Sequence, residues 1–140
     1  HIHGTGNAVE RLRNIGMEGL EVTDAIPHED LAAKTATYDV GFLPMPDHKV
    51  WSLASPLKRS EYLASGMLVC GIDHSGHQID DSGKWLQLSS QKDFITNTVA
   101  WIKSQDRKSL SALQSESRKY AEDNLSWSHS VDALESIILS

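Results

Sequence analysis

The chain has 140 residues, the size of one domain, with 39% apolar residues and a formal charge of −6, which is enough apolar material for a real core. Its lysines and arginines do not cluster, so the basic face that nucleic acid or an anionic membrane surface requires is missing from the sequence. The apolar runs are strand-sized, far short of the ~20 residues of a spanning helix, the opening residues carry no signal-peptide pattern, and Cys70 stands alone inside an apolar run, where a buried structural thiol is expected and no internal disulfide can form.

Taken in order, Ile2-His3-Gly4 reads as the end of a strand, followed by a helix with Ala8, Leu12 and Ile15 on one face. Leu20 and Val22 alternate with Glu21 and Thr23 as a second strand, and a helix with Pro27 at its first position runs through Leu31, Ala32 and Ala33. Asp39-Val40-Gly41-Phe42-Leu43 is the next strand. The stretch from Pro44 to Ala54 reads as a loop, longer than a compact domain normally places between a strand and a helix, and it carries Asp47, His48, Lys49 and Trp51.

The helix that follows has both ends written in. Ser55 is a good N-cap, Pro56 suits the first helical position, and Gly66 ends the pattern where a left-handed residue is wanted. Glu61 then falls less than two turns from the start, near enough for its carboxylate to meet a ligand whose phosphate sits on the N-terminal amides. Met67-Leu68-Val69-Cys70-Gly71-Ile72 and Lys84-Trp85-Leu86-Gln87-Leu88 are further strands. Ser90-Gln91-Lys92-Asp93 predicts a capping box for a helix bearing Ile95, Val99 and Ile102. Leu110, Leu113 and Tyr120 mark one more amphipathic segment, and Val131, Leu134 and Ile138 another, separated by Asn124-Leu125-Ser126-Trp127-Ser128.

Strands alternating with helices through short connections predict an α/β fold, a Rossmann-like parallel sheet with helices on both faces. The expected organisation is a single domain over 1–140, with the helices of 91–140 packed around it. Ligands of such sheets bind beyond the carboxyl ends of the strands, so the loops at 4–7, 24–28, 44–55 and 73–77 are expected to share one rim. His74 and His77 are read as part of a polar rim loop rather than a metal site, because no further ligand clusters with them in sequence. Trp85, Trp101 and Trp127 fall in apolar patterns and are expected in the core, while Trp51 is placed for stacking on a ligand. No Gly-x-Ser-x-Gly elbow supports nucleophilic hydrolysis.

Three ordered stretches then resemble a known family. Ile26-Pro27-His28-Glu29-Asp30-Leu31, Thr37-Tyr38-Asp39-Val40-Gly41-Phe42-Leu43-Pro44, and Ser55-Pro56-Leu57-Lys58 leading into Glu61-Tyr62-Leu63-Ala64-Ser65-Gly66 are similar to the C-terminal domain of group 1 (family 4) GT-B glycosyltransferases. Ile2-His3-Gly4-Thr5-Gly6 upstream and Ser126-Trp127-Ser128 near the end resemble that domain's landmarks in the same order. The resemblance implies the nucleotide-sugar donor half of a retaining hexosyltransferase, the C-terminal half of a GT-B fold with its first strand truncated.

In that family the carboxylate matching Glu61 holds the ribose hydroxyls, and the helix start matching Ala54, Ser55, Pro56 and Leu57 offers amides to the donor. The loop matching Ile26 and His28 lines the base, and Gly4 and Gly6 belong to the glycine-rich turn. Lys58 either adds charge at the phosphate or lies along the surface, and Leu53 stands where the family often carries an acidic residue near the donor sugar. Taken without the family pattern, Glu61 also reads as a solvated helix residue paired with Lys58 or Arg59.

The implied donor is UDP- or GDP-linked, the base being read largely by backbone groups around Ile26, and no metal cofactor is implied. The implied partner is an N-terminal acceptor domain outside these residues, so the chain is expected to be a fragment without turnover of its own. Its expected location is cytoplasmic, with any membrane contact made through other regions. Two other readings stay open. A dinucleotide-binding domain would use Gly4-x-Gly6 and Asp24, with Val9 at the third glycine position, and a non-catalytic nucleotide-binding or scaffolding domain would keep the same fold. A receiver-like module is disfavoured because Asp39 begins its strand instead of following one.

Overall fold

The alternation of short apolar runs with amphipathic segments becomes parallel β–α–β connections in a computed structural model that describes residues 1–54, 57–80 and 82–139. The chain is organised as two compact units, the first His1–Lys34 and the second from Thr35 onward. In the first, β1 (Ile2–His3), α1 (Asn7–Ile15) and β2 (Val22–Thr23) lead into α2 (His28–Thr35). The strands pair in parallel, Ile2 opposite Val22 and His3 opposite Thr23. Gly6 begins α1 at φ 100°, a conformation that side-chain-bearing residues avoid. Helix α2 starts one residue later than predicted, with the Pro27 carbonyl accepting from the Asp30 amide at 3.1 Å.

The second unit contains β3 (Val40–Leu43), α3 (Lys49–Ser52), α4 (Leu57–Ala64), β4 (Leu68–Ile72), β5 (Leu86–Ser89), α5 (Phe94–Ser104), α6 (Arg107–Asn124) and α7 (Trp127–Ile138). Its sheet runs β3-β4-β5, all parallel, with Val40 opposite Leu68 and Val69 opposite Leu86. Every residue of β4 is buried, as expected of a central strand covered on both faces. Leu43, Leu63, Leu68, Val69, Trp85, Leu86 and Ala121 form the core, where each fully buried leucine contributes about 1.5–3 kcal/mol. Tyr62 lies so close over Gly41 that a Cβ there would fall within its ring, which presses α4 against β3.

Helix α4 stops as its sequence predicts. Gly66 takes φ 75°, its amide donates to the Leu63 carbonyl at 2.9 Å, and the Met67 amide reaches back to Tyr62 at 2.9 Å. These are the paired bonds of a Schellman ending. The expected cap and first position, Ser55 and Pro56, lie outside the described residues.

Several expectations change. The stretch read as a loop over 44–54 holds α3, whose first turn is capped by His48 Nδ1 accepting from the Val50 amide at 3.3 Å. The last strand is Leu86–Ser89, two residues later than predicted at its start. Ser90 Oγ accepts from the Asp93 amide at 3.2 Å, as the capping box predicts, and donates to Asp93 Oδ2 at 2.8 Å, in a turn that precedes α5. Helix α5 then turns the side carrying Phe94, Thr98 and Trp101 inward, with Thr98 buried and the other two half-buried, while Ile95 is 76% exposed. Trp127 is 81% exposed and outside the core, and α7 buries none of its described residues. Among the described residues no helix is long and apolar enough to cross a membrane.

Candidate functional site

In a parallel sheet the strand carbonyls and the following helix starts gather at one edge, so the carboxyl ends of β3 and β4 are where a site is built. The chain leaving β3 runs through α3 to α4, and the chain leaving β4 runs through residues 73–80. These two segments are tied together. Ser75 Oγ donates to the Ser52 carbonyl at 2.6 Å. Gly76 is buried against α3, where a Cβ would collide with the Trp51 carbonyl and lie 2.8 Å from that of Ala54.

Arg59 supplies the second tie. Its guanidinium, buried with Leu63 on the inner side of α4, donates from Nη1 to the Gly76 carbonyl at 3.0 Å and to the Gln78 carbonyl at 2.9 Å. Burial pushes its pKa down, with Tyr120 acting weakly the other way, yet a guanidinium stays charged at any ordinary pH. Nε of Arg59 is buried without a hydrogen-bond partner. Sequence reasoning missed this residue. The signal was its spacing, since Arg59 shares the stripe of Tyr62 and Leu63 at i+3 and i+4 and so had to turn inward.

His74 and His77 lie in the loop that follows β4, as expected, but are buried at 5% and 1% exposure. Their rings lie 3.9 Å apart. His77 Nδ1 is 2.7 Å from the Ile72 carbonyl. A carbonyl only accepts, so Nδ1 carries the proton and Nε2 keeps its lone pair in the neutral ring. That Nε2 and both ring nitrogens of His74 are buried without a partner. Burial holds the His77 pKa below its ordinary value, opposed by the bond to Ile72 and reinforced by the neighbouring His74 and Arg59. Among the described residues no three His, Cys, Asp or Glu side chains converge on a point that would hold a metal ion.

The outer face of α4 carries the residues singled out from sequence. Lys58 Nζ and Glu61 Oε2 are 2.6 Å apart, with the two side chains 53% and 40% exposed. Leu57 is exposed at the start of the described helix, and Leu53 and Ala54 are exposed just before it. These five residues occupy one continuous stretch of the second unit. Gly4, Gly6, Ile26 and His28 belong to the first unit. There Gly4 and Gly6 form the turn between β1 and α1, Ile26 is half-buried after β2, and His28 is exposed at the start of α2. Asp24, the ribose-binding candidate of the dinucleotide reading, is 3.1 Å from Arg13 Nη2.

Chemically, α4 presents an open carboxylate and ammonium on one face and a buried guanidinium on the other. The outer pair is free to meet a polar ligand, while Arg59 Nη1 is committed to the loop carbonyls. Compared with known proteins, the chain matches no family model, no curated sequence and no solved structure.

Proposed function

We propose that this chain is the donor-binding domain of a retaining GT-B glycosyltransferase, and that it holds a UDP- or GDP-linked sugar for transfer to an acceptor bound by a separate N-terminal domain. The observation that carries the reading is Glu61. It sits on the second turn of α4, the helix that links β3 to β4, with its carboxylate half open to solvent. A carboxylate there can accept both hydroxyls of a vicinal diol, and charge-assisted bonds of that kind are about twice as strong as neutral ones. Amides at the start of α4 would meet the diphosphate without a metal ion.

Two further features support the assignment. The Schellman ending at Gly66 fixes α4 against β3 and β4, so Glu61 rides on a rigid element. Among the described residues β3 is unpaired on its outer edge and Phe42 is 49% exposed. An unpaired strand edge is a template for a further strand, so a larger parallel sheet is compatible with what is described. In this reading Lys58 holds Glu61 in place when the site is empty, and Leu53 leaves the sugar without the acidic contact many relatives of the proposed family would offer.

Calorimetric titration of the chain and of Glu61→Ala with UDP, GDP and NAD tests the proposal. Binding of one nucleoside diphosphate that is lost in Glu61→Ala supports it and names the base. Binding of NAD that survives Glu61→Ala favours the dinucleotide reading. Nucleotide affinity without sugar transfer by the protein joined to its acceptor domain would leave a binding module.

A further inference from the structure

The loop that leaves β4 exposes Asp73, Ser75 and Gln78 while it buries His74, Gly76 and His77, and polar contacts hold it. The rings of His77 and His74 lie 3.9 Å apart at a tilt of 34°, and the Arg59 guanidinium from α4 binds the Gly76 and Gln78 carbonyls of the same loop. His77 would bury a proton added at Nε2 without a hydrogen-bond partner. From β3 and β5 it is faced by Leu43 and Leu88, packed around the Gly71 position where His77 Nδ1 also lies. From α6, Tyr120 lies near Arg59 and donates its hydroxyl to the Asp80 carbonyl at 3.2 Å. The neighbouring acid, Asp73, is exposed and accepts from Gln78 Nε2 at 2.8 Å.

We propose that His77, packed against the tilted ring of His74 and set beside Arg59, makes the loop over 73–78 an acid-opened latch on α3 and α4. Protonation would place a second buried cation next to Arg59, and a buried unpaired charge is tolerated poorly. The loop has an outlet for that strain, because lifting it off α3 exposes both imidazoles and returns the Gly76 and Gln78 carbonyls to water. The sign follows from the neutral folded ring. The closed form is favoured above the ordinary histidine pKa of about 6.5 and weakens as pH falls below it. A ring that takes its proton only in the open form raises the opening equilibrium roughly tenfold between pH 7.5 and 5.5.

The test is amide exchange across that pH range, corrected for intrinsic rates. In the closed loop the His77 and Gln78 amides donate to the His74 carbonyl at 2.9 and 3.2 Å, and the Val69 amide, bonded to the Trp85 carbonyl at 2.9 Å, serves as a core reference. The latch predicts that protection of His77 and Gln78 falls about tenfold while Val69 is unchanged. In His77→Asn, which keeps a donor near the Nδ1 position and cannot titrate, protection at 78 stays level. Unchanged loop protection in the wild type, loss shared equally with Val69, or equal loss in His77→Asn each overturns the proposal. The wild-type series decides alone if the variant does not fold. Since no nucleotide is present, the result is independent of the donor-site assignment.

Discussion

Replacing Gly76 by alanine adds one methyl group at the seam between the two segments that build the carboxyl edge of the sheet. The new Cβ would collide with the Trp51 carbonyl and sit 2.8 Å from that of Ala54, both backbone atoms of a chain that cannot swing aside as a side chain would. Overpacking of this kind costs about 1–3 kcal/mol, and backbone obstacles put the expected value at the upper end, about 2–3 kcal/mol. If α3 shifts to make room, the 2.6 Å bond from Ser75 Oγ to the Ser52 carbonyl is lost as well, worth about 1 kcal/mol. Urea unfolding measures the cost, followed by tryptophan fluorescence, since Trp51 stands on α3 and Trp85 is buried in the core at 3% exposure. With a slope of about 1–3 kcal/mol per molar, the midpoint falls by roughly 0.7–3 M. Ser75→Ala should lose about 1 kcal/mol, isolating the hydrogen bond from the steric term. A Gly76→Ala protein within about 0.5 kcal/mol of wild type would refute the packing described at this edge.

Three other outcomes follow from the same contacts. Lys58→Met and Glu61→Gln each remove an exposed i,i+3 pair, so stability in urea should change by less than about 0.5 kcal/mol; a larger loss would mean that Glu61 is structural. Cys70 is fully buried and its thiol is pushed up to about 11, chiefly by burial, with Thr98 acting the other way. A thiol reagent at pH 8 should therefore modify the native protein about a hundredfold more slowly than unfolded chain, and equal rates would contradict that placement. Asp106 caps α6 through the Ser109 amide at 2.7 Å, a bond that holds its carboxyl below the ordinary range. Its stabilisation is present above the unfolded pKa and lost as pH falls through the folded one. Asp106→Asn should flatten the loss of helical signal below about pH 4, and an unchanged acid limb would count against the cap.

Much of the α/β alternation was legible because period and punctuation agreed. Gly66 ended α4 as its position required, and the continuous apolar run of β4 marked a strand buried on both faces. Where the reading failed, tertiary contacts decided what local pattern could not. Ile95, Val99 and Ile102 marked α5 as a helix, yet they are exposed and the helix turns Thr98 and Trp101 inward, toward Cys70 and the core. Trp127 was placed inside on hydrophobicity alone, whereas it opens a helix that finds no cover among the described residues.

The site itself was half legible. Lys58 and Glu61 could be placed on the outer face of α4 from helical spacing. The inward turn of Arg59 was also implied by spacing, but a charge is not expected inside until the carbonyls that receive it are known. Those carbonyls come from Gly76 and Gln78, 17 and 19 residues away in sequence. The burial of His74 and His77 depends on the same loop folding back on α3, which no local pattern encodes.

The central claim is that Glu61 receives a ribose diol. The most direct measurement is a double-mutant cycle in nucleotide affinity, wild type and Glu61→Gln each titrated with UDP, or GDP if that is the base bound, and with its 2′,3′-dideoxy analogue. The account predicts that removing the diol and removing the charge each weaken binding about tenfold or more, in line with 1.5–3 kcal/mol for a hydrogen bond to a charged group, and that the two losses do not add. Losses that add fully, or a Glu61→Gln protein that binds as tightly as wild type, would contradict it.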